Sequence, residues 1–168
     1  MANSASPPPL HPDIAPLAIF LGTWQGSGRG EYPTIEPFGY LEEVRFAHVG
    51  KPFLTYSQRT RDADDPSVLR HAETGFWRMA QADRVELVLA HPTGVVEVEE
   101  GELTIGRDGV CVIDLVSAHV VGTSSAKEVL TLSRHVAIDG DTLQYQLSMG
   151  AVGQPHQHHL EATLHRDR

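Results

Sequence analysis

This 168-residue chain has no pair of cysteines. Cys111 stands alone, so no internal disulfide can form, and a single thiol fits a reducing cytosol. It sits in a strand-like run, Gly109 to Val116, where a buried small hydrophobe is the simplest role. Long apolar runs are missing as well. The locally apolar stretch Ile14 to Leu21 is interrupted by Pro16 and is too short to cross a bilayer. No Lys or Arg precedes it, so it does not read as a secretory signal. Positive charge is scarce: 13 Lys and Arg face 22 Asp and Glu, a net charge of −9. With no basic stripe interleaved with aromatics, the chain is a poor partner for nucleic acid or an anionic membrane surface. Familiar catalytic patterns are absent too. Gly26-Ser27-Gly28 has no strand-to-helix elbow for a nucleophile, and Lys-Ser/Thr does not follow the glycines to make a phosphate loop. Glu42 and Glu43 fall on opposite faces of one strand, and nothing in the sequence brings Glu73 to either. No acid–base pair is read from them.

What the chain does have is a procession of short strand patterns. Residues 1–9 are small, polar and proline-rich, and read as a disordered tail. Residues 10–168 read as one domain of a length that supports a real core. His11 to Leu21 offers one or two helical turns, with Leu17, Phe20 and Leu21 at helical spacing. Strands are then predicted over Tyr40–His48, Pro52–Thr60, Val68–Met79, Arg84–Ala90, Val95–Glu100, Glu102–Ile105, Val110–Val116, Glu128–Ile138, Thr142–Met149 and His158–His165. Tight reversals fit Asp62 to Pro66, Arg107 to Gly109 and Asp139 to Asp141. Leu143 to Met149 alternates apolar and polar residues, the pattern of a half-buried antiparallel strand. So many strands with so little helix predict an all-β fold, an antiparallel up-and-down barrel of about ten strands with a short N-terminal helix. Such a barrel can enclose one ligand.

Two stretches carry the functional signal. Gly22-Thr-Trp-Gln-Gly-Ser-Gly-Arg-Gly30 places Gly22, Trp24, Gly26, Gly28 and Gly30 on one strand face. Four of those five lack a side chain, which lets another backbone or a flat ligand come close. Near the C-terminus, His156, His158, His159 and His165 crowd into ten residues. Alternation allows His156 and His158 to share a face as zinc ligands, although no acidic or cysteine partner lies at a familiar spacing. A polar loop entering the last strand explains the same residues.

Gly22-x-Trp-x-Gly-x-Gly28 running into Tyr32-Pro-Thr-Ile35 resembles the nitrobindins, small all-β haem proteins. So do Pro37 to Phe46, Gly50 to Phe53, His71 to Phe76, Leu87 to Val98, Ala126 to Glu128 and the closing His159-Leu-Glu-Ala-Thr-Leu164, in order along the chain. The resemblance implies one haem b per chain with His159 as its proximal ligand. It also implies His71 on the side opposite His159, and haem contacts from Thr34, Lys127, Met149, Gly22, Trp24, Gly26 and Gly28. Each has a plainer role: Thr34 as a turn residue beside Pro33, Lys127 as a solvated lysine, His71 bonded to a neighbour and Met149 as core filler. The implied activity is isomerisation of peroxynitrite to nitrate at ferric iron, with nitric oxide as a further ligand, in a cytoplasmic protein for which a homodimer is open. A carrier of a small apolar ligand in a lipocalin-like barrel is the rival, and it has no need of His159. Strand alternation sets His159 opposite Leu160, Ala162 and Leu164. Either the ring enters the pocket before regular pairing begins, or the leucine face packs beneath the N-terminal helix.

Overall fold

The structure, a computed structural model, describes residues 8–167. Most of the predicted tail therefore lies outside the described residues. Pro8 lies against Gly50, where an added Cβ would fall 2.9 Å from the proline Cβ. A 3₁₀ helix follows at Pro12–Phe20, with Pro16 inside it and a break in helical geometry at Ile14. Proline removes a backbone donor, so the short helix is held by packing more than by its own ladder. Ile14, Leu17 and Phe20 are its buried residues.

Among the described residues there are ten strands: β1 (Gly22–Tyr32), β2 (Ile35–Ala47), β3 (Leu54–Asp62), β4 (Leu69–Met79), β5 (Arg84–Ala90), β6 (Val95–Ile105), β7 (Cys111–Gly122), β8 (Val129–Asp139), β9 (Thr142–Ala151) and β10 (Gln157–Arg166). Every strand pairs antiparallel with its sequence neighbour, and β1 also pairs with β10, which closes the barrel. Closure removes the free sheet edges that would otherwise invite pairing with another chain. The predicted architecture is the observed one. The two strands expected over Val95–Glu100 and Glu102–Ile105 are one, because Gly101 continues the ladder opposite Leu115 and Val85.

The helix plugs one end of the barrel. Phe20 packs on Phe46 and Trp77, with ring centroids 5.1 and 5.4 Å away. Trp24 is fully buried there, donating its indole N–H to the Phe20 carbonyl at 2.7 Å. Arg166 lays its guanidinium over the Trp24 ring and donates to the Ile19 and Leu21 carbonyls, tying the last strand to the helix. Those carbonyls lie at the helix C-terminus, where a cation is favoured.

Candidate functional site

Away from the plug, the barrel encloses a cavity of about 330 Å³. His71, Met149 and His159 line it together, along with Phe38, Leu132, Leu147 and Leu160. His159 reaches this interior through a β-bulge. In the β9–β10 pairing His158 faces Ser148 and Leu160 faces Leu147, so His159 is the extra residue between them. A bulge puts two neighbouring side chains on one face, and both His159 and Leu160 line the cavity. This resolves the alternation that set His159 against Leu160. The ring lies within the strand, and Leu164 still packs in the core at the other end.

The imidazole of His159 is fixed from two sides. Its Nδ1 bonds the Glu31 carbonyl at 2.9 Å, and because a carbonyl only accepts, Nδ1 carries the proton. Tyr32 meets the ring edge-on at a centroid distance of 5.3 Å. Tyr32 is itself held, accepting from the Ala151 N–H at 2.9 Å. Burial lowers the His159 pKa below its ordinary 6.5, only partly offset by the bond to Glu31. The result is a neutral ring whose Nε2 lone pair is available as a metal ligand.

The other predicted site residues divide in two. Thr34, in the Pro33–Thr34 turn, and Lys127, two residues before the cavity-lining Val129, are exposed in loops that flank the cavity. Gly22, Trp24, Gly26 and Gly28 do not line it. Gly22 and Trp24 belong to the plugged end, where Arg166 covers both. At Gly26 a Cβ would fall 2.1 Å from the Thr163 carbonyl oxygen, and at Gly28 2.3 Å from Cζ of Tyr40. The glycine face therefore admits the β10 backbone and the Tyr40 ring, not a flat ligand. Gly28 acts on the cavity at one remove, by seating Tyr40 in its wall.

The zinc pairing of His156 with His158 is also corrected. His156 bonds the hydroxyls of Thr131 and Ser133, each at 2.9 Å, while His158 turns to Glu161. Among the described residues they do not converge on a common point with a third donor.

Sequence reasoning missed a buried polar layer beneath the cavity. Arg134 donates from Nε to Glu99 at 2.8 Å and from its terminal nitrogens to Glu97 at 2.9 Å and Glu73 at 3.4 Å. Tyr56 donates to Glu73 at 2.7 Å, and His91 Nε2 donates to Glu97 at 2.5 Å. Burial opposes ionisation of every carboxyl in the layer. At Glu97 the Arg134 charge and the His91 bond overcome it, bringing the pKa down to about 2, whereas at Glu99 burial prevails and raises it to about 8. Next to this group, Glu42 accepts from Tyr145 at 2.7 Å and from Gln58 at 2.9 Å. Burial still lifts its pKa to about 7. One signal in the sequence points here. Arg134 shares strand parity with Leu132, Val136 and Ile138, which marks an inward-facing charge.

A closed antiparallel barrel with an internal cavity belongs to the ligand-binding barrels, and here a bulge presents a histidine to that cavity. Residues 13–166 match the family model described as THAP4-like, heme-binding beta-barrel domain, and the chain belongs to that family. A Nocardia farcinica protein named "Peroxynitrite isomerase" is 55% identical, the alignment covering 99% of this chain and 100% of the relative. "Peroxynitrite isomerase 1" of Mycolicibacterium paratuberculosis is 56% identical over 96% of this chain and 99% of its own. The crystal structure of Rv2717c from M. tuberculosis superposes with a TM-score of 0.91 at 50% identity, covering 95% of this chain and 100% of that one.

Proposed function

We propose that the chain holds one haem b through His159 and isomerises peroxynitrite to nitrate, the activity for which its relatives are named. The observation that carries this reading is the bulged, cavity-lining His159, with Nδ1 tied to Glu31 and Nε2 without a hydrogen-bond partner among the described residues. That donor set fits haem: the imidazole that would hold the iron is neutral, oriented by a backbone acceptor and surrounded by apolar side chains. When bound, ferric haem supplies the electron-accepting centre on which peroxynitrite rearranges.

The rest is done by the chain. Glu31 holds the Nδ1 proton and stops the ring from turning. Leu132, Leu147, Leu160 and Met149 line the cavity and would exclude water from a bound haem. Lys127 and Thr34, in the flanking loops, would hold the haem carboxylates, since an ammonium suits a carboxylate. His71 lines the wall opposite His159: in the circular strand order β4 and β10 lie about half a turn apart. Nitric oxide is a second small ligand for the same cavity. The cytoplasm is the compartment that the buried, unpaired Cys111 suits. No helix among the described residues is long and apolar enough to cross a membrane. A homodimer is the assembly to seek by light scattering.

Absorption spectra of the purified chain after haem addition, wild type beside His159→Ala, test the ligand. Stoichiometric uptake with a Soret band lost or strongly shifted in the variant is expected. An unchanged variant spectrum overturns the assignment and favours the apolar-ligand carrier. A pH series sharpens the result. The folded His159 pKa lies below 6.5, so protonation competes with iron only below that value. Wild type is therefore expected to keep its haem from pH 8 to 6.5 and release it on further acidification. Wild-type peroxynitrite decay no faster than that of haem-loaded His159→Ala would refute the catalytic part.

A further inference from the structure

On the wall opposite His159, three donor atoms from three different side chains converge. His71 Nε2 and His91 Nδ1 are 3.1 Å apart. Glu73 Oε2 lies 3.8 Å from the first and 3.4 Å from the second. A triangle with those edges has a centre about 2.0 Å from each corner, the length of a zinc–nitrogen or zinc–oxygen bond. Three such donors could accept a cation with no more than small side-chain adjustments.

We propose that His71, His91 and Glu73 form a binding site for a divalent transition cation of the zinc type, with its remaining coordination position open to the cavity. Two His and one Glu are a donor set of zinc sites that keep a position free for a small ligand.

The surroundings are those of a supported metal site. The other nitrogen of His91 bonds Glu97 at 2.5 Å, the carboxylate–histidine arrangement that fixes a ligating ring and raises its basicity. The other oxygen of Glu73 accepts from Tyr56 at 2.7 Å and faces Arg134 at 3.4 Å, leaving Oε2 toward the two histidines. The guanidinium of Arg134 is the nearby like charge. It is shared among Glu73, Glu97 and Glu99, so three carboxyl groups face one cation. Access is graded: the side chain of His71 is 33% exposed, that of His91 10% and that of Glu73 4%. A cation therefore enters from the cavity side past His71. Without metal, the Nε2 proton of His71 lies between the two rings; a cation takes its place once His71 holds its proton on Nδ1 instead, with no net release of a proton.

The site uses neither His159 nor the haem, and it goes beyond the haem reading. If both hold, an anion in the cavity has a metal on either side.

Cobalt(II) titration of the haem-free full-length chain gives a direct readout, because four-coordinate Co²⁺ has intense visible bands and Zn²⁺ displaces it. One Co²⁺ per chain with such bands, bleached by one Zn²⁺, is expected. His71→Ala and His91→Ala should each weaken Zn²⁺ by roughly tenfold or more, and Glu97→Gln, which touches no metal, by about 10–100-fold. Near-UV circular dichroism verifies that each variant is folded, and half-exposed His71 is the substitution least disruptive to the core. His156→Ala/His158→Ala should bind as wild type does. Loss of the bands in that double variant, or retention in both His71→Ala and His91→Ala, overturns the proposal in favour of surface chelation. No tetrahedral spectrum in wild type overturns it outright. His159→Ala separates the two readings, since it should lose the Soret band and keep the cobalt bands.

Discussion

At the plugged end of the barrel, Ile14, Leu17 and Phe20 pack with Trp24, Phe46 and Trp77 in a cluster that carries no charged side chain. Further along, inward positions of the same sheet carry Glu42, Gln58, Glu73, Glu97, Glu99 and Arg134, and beyond them the cavity opens. The two regions share strands, register and closure and differ only in what alternate residues present. Buried charges are weak sources of stability, because their desolvation cancels much of their attraction. A void forgoes dispersion contacts outright. The dry end must therefore supply the surplus that lets the other end hold an open, charged chamber.

That contrast can be broken most forcefully at Phe20. Phe20→Ala removes contacts to Phe46 and Trp77 and should cost about 3–5 kcal/mol in urea unfolding. The folded fraction should keep a wild-type Soret position, since Phe20 does not line the cavity. A shifted band would mean that the two regions are not separable.

The polar layer yields the next largest effect, read through pH. Burial raises the Glu42 pKa from 4.5 to about 7, so the folded state binds this proton more tightly than the unfolded chain does. The stability it contributes is complete below pH 4.5 and is lost as pH rises through 7, by about 3 kcal/mol. Glu99 acts in the same direction up to about pH 8, while Glu97, with its pKa lowered to about 2, acts oppositely and only below pH 4.5. Glu42→Gln cannot titrate. Its stability relative to wild type should therefore be higher at pH 8 than at pH 5. Parallel pH profiles for the two proteins would show that Glu42 is already ionised at little cost.

The smallest effect belongs to the loops flanking the cavity. Lys127 is exposed, so Lys127→Ala should weaken haem binding by only a few-fold, about 1 kcal/mol or less, and less still at high salt. A loss comparable to that of His159→Ala would show that the propionate contact is desolvated.

The strand count and the closing topology were legible because Leu143 to Met149 and its counterparts alternate cleanly and the turns carry Gly and Asp. His159 was legible only through a motif. Alternation alone pointed its ring the wrong way, since a bulge leaves no mark in the pattern of residue types. The polar layer was hidden for a different reason. Val95-Val96-Glu97-Val98-Glu99-Glu100 has two readings, and the ordinary preference for apolar residues inside selects Val96 and Val98. The structure does the reverse, burying Glu97 and Glu99 because Arg134 and His91 await them from β8 and the β5–β6 turn. Such compensation between segments distant in sequence leaves no local trace. His91 lies just past the end of β5, beside Pro92, outside any alternating pattern that would mark it as inward-facing.

The bulge at His159 has one more consequence. Because the extra residue is absorbed at a single point, the rest of β10 keeps the pairing with β1 and β9 that closes the barrel. Position 159 is thus a socket: its occupant can be exchanged for another side chain without renumbering the ladder. Deleting that residue would instead leave a regular ladder, with His158 opposite Ser148 and Leu160 opposite Leu147, and would remove the imidazole beside the Glu31 carbonyl. The side chain presented at this position can change, while the shape of the barrel does not.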